Sequence, residues 1–322
     1  MDIAFIIDPI ASLDPGHDTS VALMEAAQAA GARVWVTEMS QLLVQEGQVW
    51  AALTPIQLAP VQLVDGQWQI PQPWFQPGAV QWRPLNTFRA VWMRKDPPVT
   101  TAYLYATYCL DLVDPQTTLV LNSPAGLRQA NEKMYALQFT SVIPKTIVTA
   151  DKQRIREFVQ QQGMAVLKPL GGKGGEGILF LQAGDRNLNS MIEISTQRGQ
   201  LPVMLQEYLP AAKDGDKRII LLNGEPIGAV NRIPTGDEFR GNMATGGRVA
   251  AAEITERDRQ ICQTLAPALQ RDGLYFVGID VIGGYLTEVN VTSPTGVREI
   301  DRLNGTCLGQ QVMAWLLGSH ST

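Results

Sequence analysis

The chain has 322 residues, 45% of them apolar, with a net charge of -5 and a mean hydropathy of -0.03. That balance fits a globular protein of about two domains, each burying its own core, and no run of ~18 apolar residues offers a membrane span. Charge spread without long single-sign blocks argues against nucleic acid as a partner, while two histidines and three scattered cysteines leave almost nothing for a Ser/His/Asp triad, a disulfide or a thiolate zinc site.

The start, Met1-Asp2-Ile3-Ala4-Phe5, lacks the basic region of a signal peptide, so a cytoplasmic protein is expected. Ile3 to Ile7 reads as an apolar strand. Thr19 or Ser20 is the expected N-cap of a helix over Val21 to Ala30, which Gly31 stops, and Val34-Trp35-Val36 is the next strand. This βαβ rhythm predicts a doubly wound parallel sheet with ligands beyond the carboxyl ends of its strands. Asp8-Pro9 and Arg94-Lys95-Asp96-Pro97-Pro98 should therefore meet at one crevice. Between them the Pro-, Gln- and Trp-rich stretch 54–84 reads as short extended pieces, by default a surface hairpin or a subunit contact.

Ser123-Pro124 has the pattern of a helix start, and a helix is expected to run through Asn131-Glu132-Lys133-Met134. A charged amphipathic helix over Asp151 to Gln161, strands at Met164 to Lys168 and Ile178 to Leu181, a helix near Leu188 to Thr196 and the strand Val203 to Leu209 make a small α+β unit. Arg218 to Leu222 and the helix Glu256 to Asp272 open the last third. The predicted boundaries are 1–122, 123–209 and 210–322.

Lys168-Pro169-Leu170-Gly171-Gly172-Lys173-Gly174-Gly175-Glu176-Gly177 contains the spacing Gly172-x-Gly174-x-x-Gly177, but an apolar strand follows instead of the helix a dinucleotide fingerprint needs. The Walker A spacing also fails. What remains is a glycine-rich hairpin tip able to fold over a triphosphate and offer backbone N–H groups, or a plain flexible turn. Lys168 just before it can pair an α- or β-phosphate, and Lys133 could do so from the other side.

Near the end, Phe276 to Asp280 and Leu286 to Asn290 flank Gly283-Gly284. A three-residue loop, Gly283 to Tyr285, would set Asp280 opposite Glu288 with Asn290 further along the same face. Such an Asp/Glu/Asn oxygen set suits Mg²⁺ carried by a nucleotide; the bland alternative is a solvated polar face. The stretch 232–248, rich in Arg and Gly, is expected to be a mobile lid in which Arg240 and Arg232 or Arg248 close on phosphate or carboxylate.

Taken in order, Asp8-Pro9-Ile10, Met93 to Pro98, Asn131-Glu132-Lys133, Lys168-Pro169 with its glycine loop, Gln206-Glu207-Tyr208-Leu209, Lys213 to Arg218, Arg240-Gly241-Asn242, Gly246-Gly247-Arg248, Asp280, Glu288-Val289-Asn290 and Thr292-Ser293-Pro294-Thr295 resemble the bacterial glutathione synthetase family of the ATP-grasp superfamily. The resemblance covers essentially the whole chain. It implies an N-terminal doubly wound domain followed by two α+β lobes with ATP between them. It implies that Lys133, Lys168, Gly172, Gly174 and Gly175 meet the phosphates, that Gln206, Glu207, Tyr208 and Leu209 meet adenine, and that Asp216 lies near the nucleotide. Asp280, Glu288 and Asn290 would hold Mg²⁺, with Mn²⁺ as a substitute. Arg218 and Arg240 would act in catalysis, with Arg94, Arg232, Arg248, Ser293 and Thr295 on substrate. The implied reaction ligates γ-glutamylcysteine and glycine through an acylphosphate, in a homo-oligomer, a tetramer by resemblance. The glycine loop departs from the pattern, which has an acid at Gly171 and no base at Lys173. The rivals are an ATP-grasp ligase for another acceptor, a nucleotide-binding regulator, and a dehydrogenase, which the missing glycine fingerprint after the first strand disfavours.

Overall fold

In a computed structural model, which describes residues 1–171, 174–235 and 248–318, three larger sheets and one small hairpin carry the architecture. The first sheet is built from β1 (Asp2–Ile6), β2 (Arg33–Thr37), β3 (Leu42–Gln45), β4 (Gln48–Leu58), β7 (Phe75–Pro77), β8 (Gln81–Pro84), β9 (Ala90–Met93) and β10 (Leu119–Leu121). Strands β10, β9, β1 and β2 are parallel, as the βαβ rhythm predicts. The sheet is nevertheless mixed, because β4 joins β2 antiparallel and carries β3, β7 and β8 on itself. The extended stretch also holds the hairpin β5 (Gln62–Val64) and β6 (Gln67–Gln69).

Helices α1 (Thr19–Ala29) and α2 (Thr101–Leu110) lie on opposite faces of this sheet, so alternate residues of β1 feed two cores: Ala4 and Ile6 face one, Ile3 and Phe5 the other. The N-cap of α1 is Asp18 rather than the expected Thr19 or Ser20, because its carboxylate accepts from Ser20 N and Val21 N.

Helix α3 (Pro124–Gln129) begins at the Ser123 cap as predicted but stops before the lysine it was expected to carry. The Asn131 side chain accepts from Lys133 N and Met134 N, turning the chain so that Lys133 sits in a tight turn. The central lobe follows: β11 (Thr146–Thr149), α4 (Lys152–Gln162), β12 (Met164–Pro169), β13 (Leu179–Gln182), α5 (Leu188–Ser195) and β14 (Val203–Glu207), with sheet order β11-β14-β12-β13. The glycine loop is the tip of the β12–β13 hairpin.

The third sheet, in order β17-β16-β15-β18-β19, comprises β15 (Asp216–Leu222), β16 (Glu225–Ile233), β17 (Arg248–Ala251), β18 (Phe276–Ile282) and β19 (Tyr285–Asn290), all antiparallel. Helix α6 (Glu256–Arg271), started by a Thr255–Asp258 capping box, packs on one face. Helices α7 (Val297–Asn304) and α8 (Leu308–Gly318), which the sequence pattern did not reveal, lie on the other, and α8 reaches back to α1.

The cores do not follow the expected separation by domain. Ile219, Leu221, Val277 and Ile279 of the third sheet share one core with Ala4, Ile6 and α2, while Ile220, Phe276, α7 and α8 share the other with Ile3, Phe5 and α1. Asn122 bolts the two sheets together. Its amide donates to Phe276 O and Val291 O, both at 2.8 Å, and accepts from Phe276 N at 2.9 Å. The central lobe alone has a core of its own.

Candidate active site

A cleft of about 640 Å³ opens between the central lobe and the third sheet, with His17, Asp96 and Pro97, in the loops after β1 and β9, forming a third wall. Alternation builds each wall. On β12, Ala165 and Leu167 fill the lobe core, which turns Val166 and Lys168 to the cleft; Gln206 pairs with Val166 and faces the same way. Ile178, Leu209 and Ile282 complete an apolar slot beside the edges of Gln206, Glu207 and Tyr208. Gly174 and Gly175, both at positive φ, bring the glycine loop over it.

The opposite wall is one charged sheet face. Asp216 and Arg218 are two apart on β15; Arg232 on β16 stands opposite Asp216, Asp280 on β18 opposite Arg218, and Glu288 on β19 opposite Asp280. The expected pairing of Asp280 with Glu288 is present, but the turn that sets it differs. Ile282 pairs with Tyr285, so the loop is Gly283-Gly284 alone, both at positive φ, and the register shifts at Thr287. This bulge resets the phase: Leu286 and Val289 both enter the core, while Glu288 and Asn290 face the cleft. The Thr287 hydroxyl donates to Asp280 O and fixes the kink.

The charges are paired within the wall. Arg218 donates through Nε and Nη2 to Asp280, at 2.5 and 3.0 Å, and through Nη1 to Thr295 O. Arg232 bridges Asp216 at 2.5 Å and Asp280 at 2.9 Å. Burial alone would raise the Asp280 carboxyl, but the two guanidiniums hold it below the ordinary range. Burial wins at Asp216, which is raised despite Arg232, with Asp280 adding repulsion. Glu288 reaches across the cleft to Lys168 at 3.6 Å, and on its own side it lies 3.9 Å from Lys133, whose turn is tied to β19 by Val289 N donating to Glu132 O. Lys133 also pairs with Glu132. Burial disfavours the Lys133 charge, yet Glu288 and Glu132 raise its pKa; Glu132 is raised by burial and by Glu288.

Among the described residues no three His, Cys, Asp or Glu side chains form a metal site by themselves. Asn290 donates its amide to Asp280 at 3.2 Å, which leaves its oxygen as an acceptor beside Glu288. A carboxylate and an amide oxygen, with Asp280 partly committed to arginine, fit a hard cation that brings phosphate and water ligands of its own.

Lys133, Lys168, Gly174, Gly175, Gln206 to Leu209, Asp216, Arg218, Arg232, Asp280, Glu288, Asn290, Ser293 and Thr295 are all brought to this cleft. Two expected substrate contacts are not. Arg94 is 3% exposed and braces Ser20 Oγ and Pro294 O, under the loop that carries Ser293 and Thr295. Arg248 is exposed at the start of β17 and does not line the cleft. Gly172 and Arg240, and most of the expected lid, lie outside the described residues. Asp8 and the Arg94 to Pro98 turn do meet, with Lys95 bonded to Asp8 at 2.6 Å and Asp96 and Pro97 on the cleft wall. The sequence reading missed Glu132, signalled only by its place beside Lys133, and His17, which no local pattern marks.

The family model for the prokaryotic glutathione synthetase N-terminal domain matches residues 1–128, and that for its ATP-grasp domain matches residues 132–305. Glutathione synthetase of Thermosynechococcus vestitus is 96% identical over 98% of this chain and 99% of the relative. Those of Synechococcus elongatus and Synechocystis sp. are 66% and 64% identical over 98% of this chain, covering 98% and 99% of the relatives. Among solved structures, the ATP-grasp ligase PsnB complexed with a variant of its minimal precursor, Mg and ADP superposes with a TM-score of 0.63 at 17% identity, over 98% of this chain and 97% of that one. D-cycloserine synthetase DcsG does so with a TM-score of 0.64 at 16% identity, over 97% and 98%. Motif order, cleft geometry and full-length identity agree: the chain belongs to the prokaryotic glutathione synthetase family, built on the ATP-grasp fold.

Proposed function

We propose that the chain joins γ-glutamylcysteine to glycine, using ATP to activate the cysteinyl carboxylate. A carboxylate oxygen attacks the γ-phosphorus and ADP leaves; the glycine amine then attacks the acylphosphate carbonyl, phosphate departs and the amine loses a proton. The observation that carries this reading is one cleft in which apolar side chains, two lysines and a sheet face of paired Arg and Asp come together. The slot takes adenine against Gln206 to Leu209, and Lys133, Lys168 and the amides of Gly174 and Gly175 take the phosphates. Arg218 and Arg232, already fixed by Asp280 and Asp216, place positive charge beside the transferring phosphoryl group with little reorganisation. Ser293 and Thr295 hold the dipeptide, and Arg94 positions their loop. Asp280, Glu288 and Asn290 would hold Mg²⁺, or Mn²⁺ in its place, which neutralises phosphate charge when bound. Arg240 and Gly172, which lie outside the described residues, complete the proposal as contacts to substrate and to phosphate, and Arg248 is left out of it.

Coupled ADP release with γ-glutamylcysteine, with and without glycine, tests this. The expected result is ADP release that needs both substrates and matches glutathione formed. Preference for another amine would move the chain to a related carboxylate–amine ligase, and nucleotide binding without turnover would make it a regulator.

We also propose a homo-oligomer, a tetramer. Support comes from exposed apolar side chains on neighbouring elements, Leu43 on β3, Trp82 on β8, and Tyr105 and Tyr108 on α2. Light scattering at the monomer mass would overturn it.

A further inference from the structure

Resting on the ligase reading, we infer that His17 is a specificity-determining residue, an imidazolium on the cleft wall that binds the non-reacting carboxylate of the acyl substrate. The glutamyl end of γ-glutamylcysteine is itself an amino acid, with an ammonium and a carboxylate on one carbon. Its recognition calls for a cation and an anion close together. Among the described residues, the N-terminal wall of the cleft is formed by His17, Asp96 and Pro97, which supplies one of each sign. Lys133, Lys168, Arg218 and Arg232 lie instead against Glu288, Asp280 and Asp216, on the nucleotide side.

The surroundings of His17 keep it charged and leave one nitrogen to donate. Glu299 on α7, 7% exposed, meets His17 Nδ1 at 2.5 Å, and its other oxygen is buried without a hydrogen-bond partner. The hydrogen bond to Glu299 raises the imidazole pKa against the effect of burial, and the charges of Glu299, Asp14 and Asp18 add to it. Neither Asp14 nor Asp18 competes for an incoming anion's place. Asp14 accepts from Gly16 N at 2.9 Å, and Asp18 caps α1 through Ser20 N and Val21 N. Arg298, beside Glu299, is committed to Glu25 and Pro15 O, and Asp96 completes the charged groups on this wall. With Nδ1 on Glu299, Nε2 is the free donor.

The sign of the pH effect follows. The charged form persists above the ordinary histidine value, so carboxylate binding is complete below about pH 6.5 and is lost as pH rises through the raised pKa. The test is calorimetric binding of γ-glutamylcysteine at pH 6 to 9 in the presence of Mg²⁺ and a non-hydrolysable ATP analogue, alongside kinetics. His17→Gln should weaken dipeptide binding about tenfold at pH 6.5, the loss of one charge-assisted hydrogen bond, with analogue binding unchanged. The gap between wild type and this variant should close as pH rises. His17→Lys should restore binding across the range, and Glu299→Gln should move the wild-type step to lower pH. A loop that merely pins α1 to α7 would change the melting temperature without this selective pattern. Identical dipeptide affinity in wild type and His17→Gln at every pH, or equal weakening of the analogue, overturns the inference. Selective pH-dependent binding in a protein that forms no glutathione would instead sink the ligase reading and leave this one standing.

Discussion

The central lobe closes its core with residues between Ile147 and Leu205, whereas the first and third sheets cannot be separated by their cores at all. One region is a self-contained cap and the other a fused body with Asn122 at its seam. The cleft lies between them, with Lys168 on the cap and Lys133 and the charged sheet on the body. The contact from Glu288 on the body to Lys168 on the cap is electrostatic rather than apolar, which suits surfaces between which a triphosphate enters.

Leu205→Ala should give the largest effect. A fully buried leucine lost from so small a core costs about 2–5 kcal/mol. Hydrogen exchange should show lost protection over β11 to β14 and α4, with α1 and α8 unchanged and ATP binding abolished. Loss spread evenly through the molecule would show that the lobe is no separate unit.

The reciprocal change is Gly126→Ala in α3. Its new methyl would collide with the Asp272 carbonyl oxygen at the end of α6, inside the body, at about 1–3 kcal/mol. The main melting transition should fall while exchange in the central lobe stays level.

Lys168→Ala addresses the cleft between the two regions. ATP affinity should drop about tenfold or more, the scale of a charged hydrogen bond, with the melting temperature nearly unchanged. An equal loss of stability would make Lys168 a structural tie between lobe and body.

Acid provides the gentlest discrimination. Burial would raise Asp2 in the body, but Arg33 and Arg83 hold its carboxyl below 3.8. Its contribution is therefore present above about pH 4 and lost as pH falls through the lowered value. The lobe's lowered carboxyls, Asp151 at its helix cap and Glu193 beside Lys152, stand in solvent and contribute little. Denaturation at pH 3 and 7 should show the body losing more than the lobe, and Asp2→Asn should flatten the difference.

What could be read from sequence was local or ordered. Ser123-Pro124, the Asp151 helix and the β12–β13 hairpin follow from caps, turns and alternation. Asp280, Glu288 and Asn290 follow from alternation across their hairpin, and Lys168 from its place before the glycine loop, whereas Asp216 and Arg218 are implied only by the order of motifs in the resemblance. Three features resisted for physical reasons. Thr287 carries no sign that it is the extra residue of a bulge, so a longer turn gave the same Asp280–Glu288 pairing. Asn131 competes for its own backbone and ends a helix whose apolar pattern would continue. His17 acquires its partner from Glu299, a contact that only the closed fold creates.

The return of α8 to α1 bears on how the chain is born. Gly309 lies so close that a side chain there would press on Ala22 O and the Ala26 methyl, and Val312, Met313 and Leu316 join Val21 and Leu23 in one core. During synthesis the first helix emerges with the strands beside it, yet its outer apolar face stays wet until Leu308 to Leu316 have left the ribosome. Completion of the N-terminal core thus waits for α8, and a chain interrupted before Leu308 would present that face to other chains and to chaperones.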